Sequence, residues 1–145
     1  MNHQTFARLA LSAFCCVQGI AQLAIDLKQT HASNPDWTGH ARFHVVWQSV
    51  SVALLSFAGL YLLWANVLPQ AASFCLVIVL ECLSPIGFIV ALLTRKMYGG
   101  TLSDPSGIPP ARFNLYGKAY WIDMNLAAVL MGFAAAIVIV AIYLG

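Results

Sequence analysis

At 145 residues, with 61% hydrophobic and only 8% charged side chains, the chain is too apolar for a water-soluble domain, whose charged share is nearer a quarter. Seven Lys and Arg against five Asp and Glu leave a net charge of +2, which gives no reason to invoke nucleic acid. The composition is that of an integral membrane protein.

Four apolar runs, residues 6–27, 43–64, 71–94 and 119–144, are each long enough to cross a hydrocarbon layer about 30 Å thick. They predict an all-α fold, a single four-span transmembrane domain over residues 1–145 built as a four-helix bundle. The first run has neither the short apolar region nor the cleavage site of a signal peptide, and reads as a retained span. Lys28, Arg42, Arg95, Lys96, Arg112 and Lys118 flank the first and third connections, with Arg8 alone at the amino-terminal end. The positive-inside rule then puts both connections in the cytoplasm and both termini on the non-cytoplasmic side. Cys15, Cys16, Cys75 and Cys82 fall inside apolar spans without a C-x-x-C pair, and read as small buried hydrophobes.

In the first span, Gln18, Gln22 and Asp26 recur every four residues, a polar stripe expected to face the bundle interior rather than lipid. The stretch Asn34 to Gln48, N-P-D-W-T-G-H-A-R-F-H-V-V-W-Q, concentrates the unusual chemistry. Pro35 suits a first helical position and Asn34 a cap, so the second helix is expected to start near residue 35 and end at Trp64. At about 45 Å it exceeds the hydrocarbon thickness, placing His40 and His44 at headgroup depth or just below. Trp37, His40, His44, Trp47, Gln48 and Ser51 share one face. Arg42 points away from the histidines, toward lipid phosphate or an acid on another segment.

The second connection, residues 66–70, is short and uncharged, so spans two and three are expected to be antiparallel neighbours. Glu81 stands mid-span, where an ionised carboxylate costs at least about 2.5 kcal/mol. Four residues later Pro85 cannot donate to the Glu81 carbonyl, which predicts a bend and a free carbonyl there. Residues 95–117, rich in Gly and Pro, read as an irregular loop, either lid or connector. The fourth span is expected to open as a helix. Tyr116, Tyr120 and Asp123 would lie on one of its faces, and Lys118, Trp121 and Asn125 on another. One face looks inward and the other is an interfacial anchor.

Asp26, His40, His44, Gln48 and Asp123 sit toward the cytoplasmic ends of their helices, with Glu81 deeper. In a compact bundle such inward groups are expected to converge on one pocket. Three readings compete. In the first, a lipophilic small molecule or lipid is bound, and proton transfer suits an isomerase, cyclase or hydratase. His40, His44, Glu81 and Asp123 would be catalytic, and Asp26, Trp37, Arg42, Trp47, Gln48, Tyr120, Trp121 and Asn125 would line the ligand. In the second, His40 and His44 at i, i+4 hold a metal whose shell Asp26 or Asp123 completes; the histidines are not placed for bis-imidazole haem, and no cofactor is called for. In the third, the polar face docks another membrane subunit or a second copy of the chain, without catalysis.

The run N-P-D-W-T-G-H-A-R-F-H from Asn34 to His44 resembles the N-P-x-W-x-x-H-A-R-F-H stretch of a family of small four-span membrane proteins, a resemblance that implies the layout and contributes no reaction. In layout alone, four short spans with acids, His and Trp inside, the chain is similar to the sterol-isomerase and sigma-2-receptor superfamily.

Overall fold

A computed structural model describes residues 2–145. Four helices, α1 (His3–Asp26), α2 (Gly39–Trp64), α3 (Gln70–Thr94) and α4 (Met124–Leu144), are long and apolar enough to cross a membrane. The protein is a multi-pass membrane protein built as an all-α four-helix bundle. α1 packs most extensively on α2; α2 also borders α3, and α4 returns to α1, with a thinner seam between α3 and α4.

The tightest packing lies toward the end holding the chain termini. Ala7, Leu11, Cys15, Leu63, Phe74, Val77 and Ile139 form the buried cluster, and Phe74 stacks on Tyr143 with ring centroids 3.8 Å apart. Small residues set the α1–α2 spacing: a Cβ on Gly19 would lie 3.1 Å from the Ser56 Cβ. Arg8 donates to the Leu63 carbonyl and lies over the Trp64 ring, 4.3 Å from its centroid. The opposite end is closed by two loops, pinned by a 2.9 Å hydrogen bond from Asn34 Nδ2 to Ser106 Oγ.

Two boundaries differ from the sequence expectation. α2 begins at Gly39, not near residue 35, because Thr38 is the cap: its Oγ1 accepts from the Ala41 amide at 3.2 Å. Asn34 is spent elsewhere, its Oδ1 turning the chain by accepting from the Asp36 amide at 3.0 Å. α4 begins at Met124 rather than Ala119, and the residues before it form an antiparallel hairpin, β1 (Ala111–Leu115) with β2 (Lys118–Ile122). Tyr116 and Gly117 turn the chain with φ of 48° and 73°, the left-handed pair of a two-residue hairpin turn. Phe113 in β1 and the run Tyr120, Trp121, Ile122 in β2 favour strand on either side of it.

Pro85 lies within a continuous α3. The carbonyl it releases does not stay free, since Gln18 Nε2 on α1 donates to the Glu81 oxygen at 2.9 Å.

Candidate functional site

The motif divides into residues that build the loop and residues that do not. Arg42 Nε donates to the Trp37 carbonyl at 3.1 Å and Nη2 to the Pro35 carbonyl at 3.2 Å, so its guanidinium clamps the chain entering α2 rather than pairing with an acid. Asn34 is fully buried and ties the two loops. Thr38 caps the helix. His40 and His44 take no part in this scaffolding. Both are exposed on the first turns of α2, with their Nε2 atoms 3.0 Å apart and rings at 85° to each other. In that contact one imidazole donates and the other accepts.

Around the pair lies an aromatic shelf. The Phe43 ring meets His44 edge-on at 5.9 Å, and Trp47 lies 5.8 Å from His44 and 6.2 Å from Phe43. Trp47 is 61% exposed, and Gln48 is exposed as well. This face of α2 therefore looks away from the bundle, which corrects the expected inward orientation of His40, His44, Trp47 and Gln48. Such a face is tolerable at headgroup depth, where water and lipid phosphate hydrogen-bond to polar groups, although it would be costly deeper in the hydrocarbon.

The expected acids do not join the histidines. Glu81, 1% exposed, lies between helices, its Oε2 accepting from Ser56 Oγ at 3.1 Å. Oε1 has no hydrogen-bond partner among the described residues. From His44 to Ser56 is roughly three turns, about 18 Å along α2, so Glu81 and the imidazoles occupy different depths. Asp123 is the cap of α4, its Oδ1 accepting from the amides of Asn125 and Leu126 at 3.0 Å each. Asp26 is half-buried at the end of α1. Among the described residues no three of His, Cys, Asp and Glu form a group able to hold a metal ion, so neither aspartate completes a shell on the imidazole pair.

Trp37 and Asn125 both line a cleft of about 330 Å³ between the two loops, together with His31, Leu102, Asp104 and Ile108. Trp37 stands edge-on to His31 at 5.6 Å, and His31 Nδ1 contacts Thr30 Oγ1 at 2.9 Å. Asp104 Oδ1 accepts from both the Ser106 hydroxyl, at 2.7 Å, and the Ser106 amide, at 2.8 Å. These bonds hold its carboxyl below the usual range. The sequence reading missed Asp104, although D-P-S-G carries the signature of an Asp-initiated turn. Tyr120 and Trp121 lie on the hairpin, the first stacked on Phe113 at 5.6 Å and the second beneath Arg112 at 5.6 Å.

No family model, no curated protein and no solved structure matches this chain. The kinship suggested by the Asn34–His44 motif therefore rests on those residues and on the four-span layout.

Proposed function

We propose that this multi-pass membrane protein acts on a lipophilic small molecule at the membrane surface, with the His40–His44 pair as its proton-transfer group. The molecule approaches from the lipid side, against Phe43 and Trp47, rather than through an enclosed pocket. One observation carries the reading: two imidazole nitrogens 3.0 Å apart on an exposed aromatic face, within a motif whose Asn34, Thr38 and Arg42 are taken up in bonds that order the loop and the helix start. In the neutral pair, the ring that donates through Nε2 keeps Nδ1 as a base. The accepting ring carries its proton on Nδ1 and is an acid. A proton taken up at one end of the pair can thus be matched by one delivered at the other. An isomerisation needs that combination, removing a proton at one carbon and returning one at another. Trp47 and Phe43 would shelter the apolar body of the substrate. The positive-inside rule supports placing this end of the bundle, with its Lys and Arg, in the cytoplasm and both termini outside.

The test is native mass spectrometry of the purified protein, with extraction and identification of retained lipophiles. His40→Ala and His44→Ala should each lose the retained molecule or its turnover, at an unchanged melting temperature in detergent. Full retention and full turnover in both variants would remove the basis of the assignment.

A metal reading starts from the same pair. The two nitrogens, 3.0 Å apart, would have to separate to about 3.3 Å to take neighbouring positions on a tetrahedral ion with metal–nitrogen bonds of about 2.0–2.1 Å. The remaining ligands would then be water, lipid phosphate or a second chain. Stoichiometric metal in the purified protein, lost in His40→Ala/His44→Ala, would select it over the proton relay.

A further inference from the structure

The β1–β2 hairpin stands apart from the bundle. No helix packs extensively against it, and apart from Ala111 and Ile122 at its base its residues are exposed. An isolated two-stranded hairpin is at best marginally stable in water, so this one calls for a surface to rest on. Its register sorts the side chains. The pairs Ala111–Ile122, Phe113–Tyr120 and Leu115–Lys118 share one face, which is continuously apolar up to Lys118 at the turn. The pairs Arg112–Trp121 and Asn114–Ala119 form the other, with the Arg112 guanidinium over the Trp121 ring. Tyr116 at the tip is 95% exposed.

Position and charge narrow the partner. β2 ends at Ile122, Asp123 caps the next helix, and α4 enters the hydrocarbon from Met124. The hairpin is therefore tethered at the water–lipid boundary. Residues 111–122 include Arg112 and Lys118 and no Asp or Glu, and exposed Arg95 and Lys96 lie at the same end of the bundle. We infer that the hairpin is a membrane-resting element for anionic phospholipid, its Phe113–Leu115–Tyr120 face lying in the headgroup–acyl boundary, Lys118 on that face meeting lipid phosphate and Arg112, on the opposite face over Trp121, adding positive charge close to the surface. Aromatic rings with Lys and Arg are the side chains that settle at that depth. Each cation near an anionic surface is worth about fivefold in the binding equilibrium.

Hydrogen exchange on the full-length protein in nanodiscs tests this. With phosphatidylcholine mixed with phosphatidylglycerol, the amides of residues 111–122 should exchange at least about tenfold more slowly than in phosphatidylcholine alone. R112Q/K118Q should remove most of that difference, while α4 protection, read in the same experiment, stays constant and reports an intact fold. Equal protection in both lipid mixtures would overturn the inference, as would protection that inorganic phosphate reproduces in phosphatidylcholine discs. Protection appearing only in discs holding two copies of the protein would assign the face to a second chain instead.

Discussion

Gln18 on α1 donates its side-chain amide to the backbone carbonyl of Glu81 on α3, at 2.9 Å. That carbonyl is the one Pro85, four residues on, cannot bond, since proline has no N–H. One helix thus repairs the hydrogen-bond gap that proline opens in another, in a solvent that offers no water to do so.

The repair predicts a measurable coupling. Gln18→Leu should destabilise the protein by about 0.5–2 kcal/mol in reversible unfolding from detergent micelles. In a Pro85→Ala background the α3 ladder supplies its own donor, and the same substitution should cost clearly less. A double-mutant cycle with no interaction between the two positions would show that the bond does not compensate for the missing proline donor.

Two glycines should respond in opposite directions to the same change. A Cβ on Gly59 would meet Val77 Cγ1 at 3.1 Å and Glu81 Oε1 at 3.4 Å, so Gly59→Ala is expected to cost about 1–3 kcal/mol by overpacking. At Gly87 a Cβ meets nothing within 4 Å. Gly87→Ala should therefore gain up to about 1 kcal/mol from helix propensity. Thermal midpoints of the two variants against the parent decide the matter.

Arg42 is predicted to be replaceable by neither Gln nor Lys. Gln is too short, and the single ammonium of Lys cannot reproduce the fork that reaches the carbonyls of Pro35 and Trp37. Faster amide exchange across residues 34–38, with α3 unaffected, is the expected result. If the loop stays as protected as in the parent, the clamp is not what orders it.

The Asp104 turn should loosen in acid. Its folded-state carboxyl titrates below the usual value, first because the Ser106 hydroxyl donates to it. The stabilisation is therefore fully present above the ordinary Asp range, near about 4, and disappears as pH falls through the lower folded value. Exchange at the Ser106 amide, corrected for its intrinsic pH dependence, should be protected at pH 6 and lose that protection well below pH 4. Asp104→Asn should weaken the protection at pH 6, because a neutral amide oxygen accepts less strongly than a carboxylate.

Membrane residence and the number of spans were written in the chain itself, because hydropathy and run length are local quantities that add up without knowledge of neighbours. So was the defect at Glu81, since the missing proline N–H is a covalent fact. What only the tertiary structure decided depends on partners distant in sequence or on the direction a helix face points. Asn34 could have capped α2; its tie to Ser106, far along the chain, and its turn to Asp36 leave that role to Thr38. Residues 118–122 could have begun α4, and pairing with 111–115 through the Tyr116–Gly117 turn made them a strand. The orientation of His40 and His44 was least legible. In water a polar stripe faces out and at hydrocarbon depth it faces in, but at the headgroups both directions are solvated, and only packing against α1 and α3 sets which way α2 turns.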